Sequence, residues 1–337
     1  MKTVSGQISR DSARIELFIG DTSVGPRKPI ASKVSNPSEF KTVFDYLDHF
    51  FQHLISCNLG IELPLDQLVL SLSGEVEDNV FLSSKEVSWP TFSASDLVEK
   101  YKLKKVKLLT HIEALGYYDP YPTPENLFIL NTKSDFSKEG QTLMIEMGKE
   151  LDICVVLREG KKVQKVIANE GAYIPIPCKN RRDYEFQNFI RETLKMQENQ
   201  YVDAASVCCE SGLLLVYRFV CKEFKRDPSG VSVNDLISKI SDDCVFETIR
   251  YWFEMFIAWI FNVMTITLPS GGIFISSPLL LDIIKKSGDR QDDLTGYFIE
   301  RLVMREYLMG VFENTPVTIF YDSSNLIIEG GLISLGY

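Results

Sequence analysis

The chain has 337 residues, of which 45% are hydrophobic and 24% are charged, and its formal net charge is −10. This length is typical of about two globular domains, each with enough apolar residues for its own core. The negative charge argues against a nucleic-acid-binding surface, which needs a basic stripe, and against binding to an anionic membrane.

The first third of the sequence predicts the order β-β-α-β-α-β. Asn36, Pro37 and Glu39 form an N-cap and capping-box pattern, which predicts that the first helix begins at Pro37. Alternating or apolar runs predict the strands, and apolar residues at helical spacing predict the helices. The elements are strands over 13–20, 28–34, 68–72 and 106–109, the helix after Asn36, and a helix over 94–101.

A second α/β region follows. A turn at Glu159-Gly160 between two apolar strands predicts a β-hairpin. The other predicted elements are strands over 142–147, 152–157, 162–167, 273–276 and 317–321, and helices over 183–196, 212–223, 233–240 and 246–264. Two such regions are compatible with a two-lobed ATP-handling kinase, but the pattern alone establishes only a two-domain α/β protein.

The seven cysteines indicate a reducing compartment, because their number is odd and no Cys-x-x-Cys pair occurs. His49 and His53 are four residues apart on the predicted helix, but no carboxylate motif accompanies them, so we expect no metal site. The N-terminus has no apolar signal region, and the most apolar stretch, 255–268, is shorter than a membrane span of ~20 residues. We therefore expect a cytoplasmic protein.

Several short stretches, in order along nearly the whole chain, resemble the bacterial glucokinase family of the sugar kinase, Hsp70 and actin superfamily. They are 89–93 (like W-x-F-S with one insertion), 107–114 (like a strand ending in I-N-D-F-T-A), 169–173 (like G-E-G-G-H), 211–218 (like S-G-x-G…L-Y-R), 271–275 (like G-G-V-F-I) and 316–331 (like the closing strand and helix start).

The resemblance implies an α/β protein with the two-lobed ribonuclease H-like fold of actin and hexokinase, in which helices flank mixed sheets. It divides the chain into a small lobe over 1–112, to which 322–337 returns, and a large lobe over 113–321. The family binds glucose and ATP in the cleft between its lobes. The family has a dimer surface, so the resemblance also allows a homodimer of this chain.

The resemblance places His111 at the position of the family's catalytic Asp, and Thr110 at that of the preceding Asn. A neutral imidazole can accept a proton near pH 7, but it does not orient a sugar hydroxyl as a carboxylate does. Glu113, two residues further on, is the other candidate base. We expect no catalytic residue here, with His111 or Glu113 serving only if the chain is a divergent enzyme.

Both phosphate loops depart from the family's glycine-rich patterns, whose backbone N–H groups cradle phosphates. In the first loop, Ser9, Arg10 and Asp11 stand where the family has a Gly-Gly-Thr turn. In the second, the residues that stand in the family's G-x-G-T-G-x-G segment are Gly148, Lys149 and Glu150. We therefore expect no nucleotide cofactor.

The sugar side is partly retained. Glu170 stands at the family's first sugar-binding Glu, beside Gly171, and Thr110 is a further candidate. The family's His is Tyr173, its second sugar Glu is Ala205, and the loop Asn before Trp89 is replaced by Glu86.

Two hypotheses follow from the sequence. The first is a catalytically degenerate glucokinase-like protein, a pseudokinase with a binding or regulatory role, for which a protein partner remains unidentified. The alternative is a divergent sugar kinase that phosphorylates glucose or another hexose with ATP and Mg²⁺. Neither involves nucleic acid or a membrane.

Overall fold

The structure is a computed structural model, and it describes residues 1–9, 12–19, 28–57, 64–84, 87–118, 126–130, 140–160, 162–197, 199–288, 294–297, 300, 315–322 and 325–336. The chain divides into two units. The first comprises Met1–Asp119 and Ser324–Tyr337, and the second comprises Pro120–Ser323. The sequence-based division placed the first boundary seven residues earlier and the second boundary two residues earlier.

The first unit is built on a five-stranded sheet in the order β3-β2-β1-β4-β8. Strand β1 pairs antiparallel with β2 and parallel with β4, which in turn pairs parallel with β8. The elements of the unit are β1 (Lys2–Ile8), β2 (Ala13–Ile19), β3 (Ala31–Ser35), α1 (Val43–Ser56), β4 (Gln67–Leu72), β5 (Glu75–Glu77), β6 (Val80–Ser83), β7 (Phe92–Ser93), α2 (Ala94–Tyr101), β8 (Lys105–Thr110), α3 (His111–Tyr117) and, at the C-terminus, α10 (Leu326–Ser334; α4–α9 lie in the second unit). Strands β5–β7 form a small separate sheet.

The start of α1 differs from the prediction. Asn36 does act as an N-cap, but of a single 3₁₀ turn over Pro37–Glu39, in which its side chain accepts a hydrogen bond from Ser38 N. The backbone then becomes extended at Phe40, and α1 begins only after Thr42, whose hydroxyl accepts from Asp45 N at 3.1 Å. The second cap stabilises the later start because it satisfies an N–H of the first turn of α1.

Helices cover both faces of the first sheet. Apolar residues of α1 and α2 form one core with β1, β2 and β4, while α3 and α10 contact the opposite face. Strand β1, which the sequence analysis missed, lies between β2 and β4 and has buried polar side chains. One of them, Ser5, donates its hydroxyl to the Ile328 carbonyl of α10 at 2.9 Å.

The second unit contains a six-stranded sheet in the order β12-β11-β10-β13-β14-β9. The predicted hairpin is confirmed as β11 and β12, and β10 pairs parallel with β13. The elements are β9 (Leu127–Ile129), β10 (Gly140–Met147), β11 (Leu151–Glu159), β12 (Lys162–Asn169), α4 (Arg181–Leu194), α5 (Ala204–Val207), α6 (Glu210–Phe224), α7 (Val233–Ser238), α8 (Asp243–Thr267), β13 (Gly272–Ser276), α9 (Pro278–Lys286) and β14 (Val317–Phe320).

Helix α8 is the buried centre of the second unit. Its indole nitrogens are satisfied inside the core, where Trp252 donates to the Val207 carbonyl at 2.9 Å and Trp259 donates to the Gly171 carbonyl at 2.8 Å. These bonds satisfy the polar atoms of two otherwise apolar side chains. Across the described residues, no helix combines the length and apolar character that a transmembrane segment requires.

Candidate functional site

The carboxyl ends of β1, β4 and β8 lie side by side at one edge of the first sheet. The Ile8 carbonyl, at the end of β1, accepts hydrogen bonds there from Ser73 N at 2.9 Å and from His111 Nε2 at 3.0 Å. Because a carbonyl oxygen only accepts, Nε2 of His111 carries a proton. The imidazole is thus held against β1 at the edge where open α/β sheets bind ligands.

Thr110 and Glu113 form a reciprocal capping box at the start of α3. The Thr110 hydroxyl accepts from Glu113 N at 3.2 Å, and Glu113 Oε2 accepts from Thr110 N at 2.8 Å and from the Thr110 hydroxyl at 3.1 Å. The carboxylate is therefore folded back onto the first turn of its own helix. Thr110, His111 and Glu113 lie together, but Thr110 and Glu113 bind each other as the capping box of α3.

The first phosphate-loop position lies between β1 and β2. Ser9 donates both its N–H and its hydroxyl to the Ser12 carbonyl, each at 2.9 Å. Those donors are consequently used inside the turn. Arg10 and Asp11, and likewise the sugar-loop candidate Glu86, lie outside the described residues.

The second phosphate-loop position is the hairpin turn between β10 and β11, which comprises Gly148, Lys149 and Glu150. The Gly148 N–H donates to the Glu150 carbonyl, and the Gly148 carbonyl accepts from Glu210 N at the start of α6, each at 2.9 Å. A Cβ on Gly148 would meet no atom of the described residues within 4 Å. Close packing against the described residues therefore does not require a glycine at this position.

Glu170 and Gly171 lie at the start of a 3₁₀ turn over Gly171–Tyr173, directly after β12. Glu170 is exposed, and its side chain makes no capping hydrogen bond. A Cβ on Gly171 would lie 2.1 Å from Ile153 Cδ1, and its carbonyl accepts the Trp259 indole N–H at 2.8 Å. The contacts with Ile153 and Trp259 thus fix the backbone of Gly171, and they thereby set the position of the neighbouring Glu170.

Four carboxylates act electrostatically on the hydroxyl of Tyr173. The pKa of its hydroxyl is raised by burial and then by the carboxylates of four residues, which are Glu170, Asp152, Glu150 and Asp203. The structure thereby brings the second phosphate-loop position and the retained sugar-side Glu into one acidic region of the second unit. No group of His, Cys, Asp and Glu within the described ranges has the arrangement of a metal site.

Comparison with known proteins decides the family. A family model described as Glucokinase matches residues 5–325. The chain belongs to the glucokinase family. A comparison with curated proteins gives no match.

Solved glucokinase structures share the fold of this chain. A glucokinase from an Antarctic psychrotroph has a TM-score of 0.80 at 14% identity, over 99% of this chain and 98% of that one. The glucokinase from Balamuthia mandrillaris in complex with glucose has a TM-score of 0.73 at 12% identity, over 98% and 92%. The ROK family glucokinase from Streptomyces griseus in complex with glucose and AMPPNP has a TM-score of 0.61 at 10% identity, over 98% of each chain. The glucokinase resemblance and the sugar-kinase type of α/β fold are confirmed.

In this glucokinase-family member, the candidate residues form two groups, one in each unit. Sequence reasoning missed Ser73, which shares the Ile8 carbonyl with His111, and Asp203, which adds charge near Tyr173. Both had a signal in the sequence. Ser73 directly follows an apolar strand, and Asp203 stands three residues before Ser206, whose N–H its carboxylate caps at 2.8 Å.

Proposed function

We propose that this glucokinase-family protein lacks ATP-dependent sugar kinase activity and has a binding or regulatory role. The observation that carries the proposal is that the side chains of Glu113 and His111, at the end of β8, form hydrogen bonds within the protein. Glu113 binds the backbone and side chain of Thr110, and His111 donates a hydrogen bond to Ile8. Deprotonation of a sugar hydroxyl requires a base within hydrogen-bond reach of the substrate. Glu113 instead caps its own helix, and the Nε2 proton of His111 is directed at Ile8, so that Nδ1 is the only nitrogen of this imidazole that could act as a base.

The phosphate loops support the same proposal. ATP binding relies on backbone N–H groups and cations directed at the phosphates. Here the N–H groups of Ser9 and Gly148 donate to carbonyls of their own turns. Glu150 and Asp152 contribute negative charge at the second turn. A phosphate group would bring further negative charge beside these carboxylates, which supports the proposal that the chain does not bind ATP.

The retained Glu170 makes a sugar the first small ligand to test. Glu170 is exposed and is positioned by the tightly fixed Gly171. A carboxylate can accept hydrogen bonds from sugar hydroxyls without any phosphoryl transfer. A glucose-binding sensor would therefore need Glu170 but not the phosphate loops.

A thermal-shift titration of the purified chain tests the proposal. A ligand that binds only the folded state at 100 times its Kd stabilises it by about 2.7 kcal/mol. We expect no shift with millimolar ATP–Mg²⁺. A shift with glucose that disappears in Glu170→Gln would support a sugar sensor, with Glu192→Gln, on the exposed surface of α4, as the matched control. A saturable shift with ATP–Mg²⁺ would overturn the proposal in favour of a divergent sugar kinase.

A further inference from the structure

Two buried thiols lie side by side in the second unit. The sulfur atoms of Cys221, in the last turn of α6, and Cys244, in the first turn of α8, are 3.9 Å apart. Neither residue has any exposed surface. A disulfide has an S–S distance of about 2.05 Å, so the sulfurs would need to approach each other by about 1.9 Å. Rotation about the Cα–Cβ bonds moves sulfur atoms by distances of this order.

The backbone around the two thiols is held by an ion pair. Arg226 Nη1 lies 2.7 Å from both carboxylate oxygens of Asp242. Arg226 N donates to the Cys221 carbonyl at 2.9 Å, and Asp242 Oδ1 accepts from Cys244 N at 2.9 Å. Each cysteine is thus bonded to one member of the ion pair. The proximity of the thiols follows from how the two helix ends are joined.

We propose that Cys221 and Cys244 form an oxidative modification site that closes to an intrachain disulfide with a small two-electron oxidant such as hydrogen peroxide. The thiolate of one cysteine attacks a peroxide oxygen, the O–O bond breaks, and the departing hydroxide takes up a proton to become water. The resulting sulfenic acid is attacked by the second sulfur, and its oxygen leaves as a second water. Two thiols and one peroxide therefore give one disulfide and two waters.

The groups around the thiols make this oxidation slow at neutral pH. Burial raises the pKa of the Cys244 thiol, and so do Cys221 and Asp242, against a lowering by Arg226. Tyr217 shares a hydrogen bond with Cys221, and the pKa of this tyrosine is raised chiefly by its own burial. Since the thiolate is the reacting species, the rate should increase as the pH rises from 7 to 9. The site is a slow one, not a rapid peroxide sensor.

Closing the disulfide would join two helices that support the acidic region. Helix α6 begins at Glu210, whose N–H binds the Gly148 carbonyl, and α8 carries Trp259, which binds the Gly171 carbonyl. Oxidation therefore links the helix behind the second phosphate-loop position to the helix behind the sugar-side turn. This inference does not depend on whether the protein is a kinase.

Peroxide treatment of the native full-length chain tests the site. After oxidation at pH 8.5 and alkylation of the remaining thiols, peptide mapping should find a Cys221–Cys244 linkage with a mass loss of two hydrogens, and the melting midpoint should rise by several degrees. Cys221→Ser should abolish both effects. Cys154→Ser, which removes another fully buried thiol, should retain them.

Mapping of the wild-type chain keeps the test decisive even if a serine variant folds poorly. The inference is overturned if oxidation produces only modified Cys57 and Cys178, the exposed thiols, with Cys221 and Cys244 still alkylated. A linkage that leaves the midpoint unchanged would contradict the proposed joining of α6 and α8. A linkage rate that does not depend on pH would contradict the thiolate step.

Discussion

Gly330 lies where α10 packs directly against the backbone of α3. A Cβ at this position would be 1.9 Å from the Ala114 carbonyl oxygen and 2.8 Å from its carbon. Non-bonded atoms do not approach so closely, and the neighbour is backbone, which cannot rotate aside as a flexible side chain can. We therefore predict that Gly330→Ala forces the two helices apart and destabilises the first unit.

Two opposing terms set the size of the effect. Alanine is favoured over glycine inside a helix by about 1 kcal/mol. Overpacking in a core costs about 1–3 kcal/mol, and a backbone overlap of this depth lies at the upper end of that range. The net loss is about 2 kcal/mol. At about 2–4 °C per kcal/mol for a domain of this size, the melting midpoint should fall by about 4–8 °C.

Calorimetry on Gly330→Ala and Gly148→Ala provides the comparison. Gly148→Ala is the matched control, because a Cβ there meets nothing within 4 Å in the part of the chain that the structure describes, and the residue has no positive φ. It should leave the midpoint unchanged or raise it slightly, since alanine restricts the unfolded chain. Equal midpoints for the two variants would refute the packing of α10 against α3.

Two further predictions concern the same unit. Thr110→Ala and Glu113→Ala should each destabilise α3 by about 1 kcal/mol, and urea unfolding of the double variant should show much less than the sum, because the two side chains form one capping box; full additivity would contradict this. Burial lowers the pKa of Lys107 to about 8, helped by Lys105 and opposed by Glu113. The folded chain therefore binds fewer protons than the unfolded chain above pH 8. The difference in free energy of unfolding between wild type and Lys107→Met should accordingly shift in favour of wild type from pH 8 to 9.5. A difference that stays constant with pH would contradict this prediction.

The sequence predicted the elements whose hydrophobic pattern is strong and local. Helix α2 was predicted with its observed bounds, and β10, β11 and α8 were found with ends shifted by a few residues. Buried apolar side chains dominate β10, β11 and α8, so their pattern alone identifies them. Helix α2 buries only Leu97, but the capping box of Ser93 and Asp96 marks its start. The same holds for the family resemblance, which depended on the order of several short segments.

Two elements that the sequence analysis missed, β1 and α9, were missed for local physical reasons. Strand β1 is central and buried, yet Thr3, Ser5 and Gly6 interrupt its apolar pattern. Ser5 faces α10, to which it donates a hydrogen bond, whereas a Cβ on Gly6 would meet Leu70 and Ile15 in the core on the other face of the sheet. Helix α9 was missed although Ser277 and Pro278 form an N-cap and N1 pair, with Leu280 N donating to the Ser277 hydroxyl at 3.1 Å. That signal was present in the sequence, but no helix was predicted from it.

At the candidate site, the sequence identified His111 and Glu170 as the residues to examine, but not what they contact. The pattern from Thr110 to Glu113 is a capping box, and it could have indicated from sequence that Glu113 serves the helix. In contrast, the hydrogen bond from His111 to Ile8 joins residues 103 positions apart. Such a contact depends on sheet topology, which no local pattern specifies.

The most direct test of the account is phosphoryl transfer from ATP–Mg²⁺ to glucose and other hexoses, measured as ADP formation by the purified chain. We predict no turnover above that of a protein-free blank. Turnover that persists unchanged in both His111→Ala and Glu113→Gln would point to a contaminating host kinase and would leave the prediction to be decided on further-purified protein. Turnover that copurifies with the chain and is abolished by His111→Ala would contradict the account and establish a divergent sugar kinase with His111 as its base.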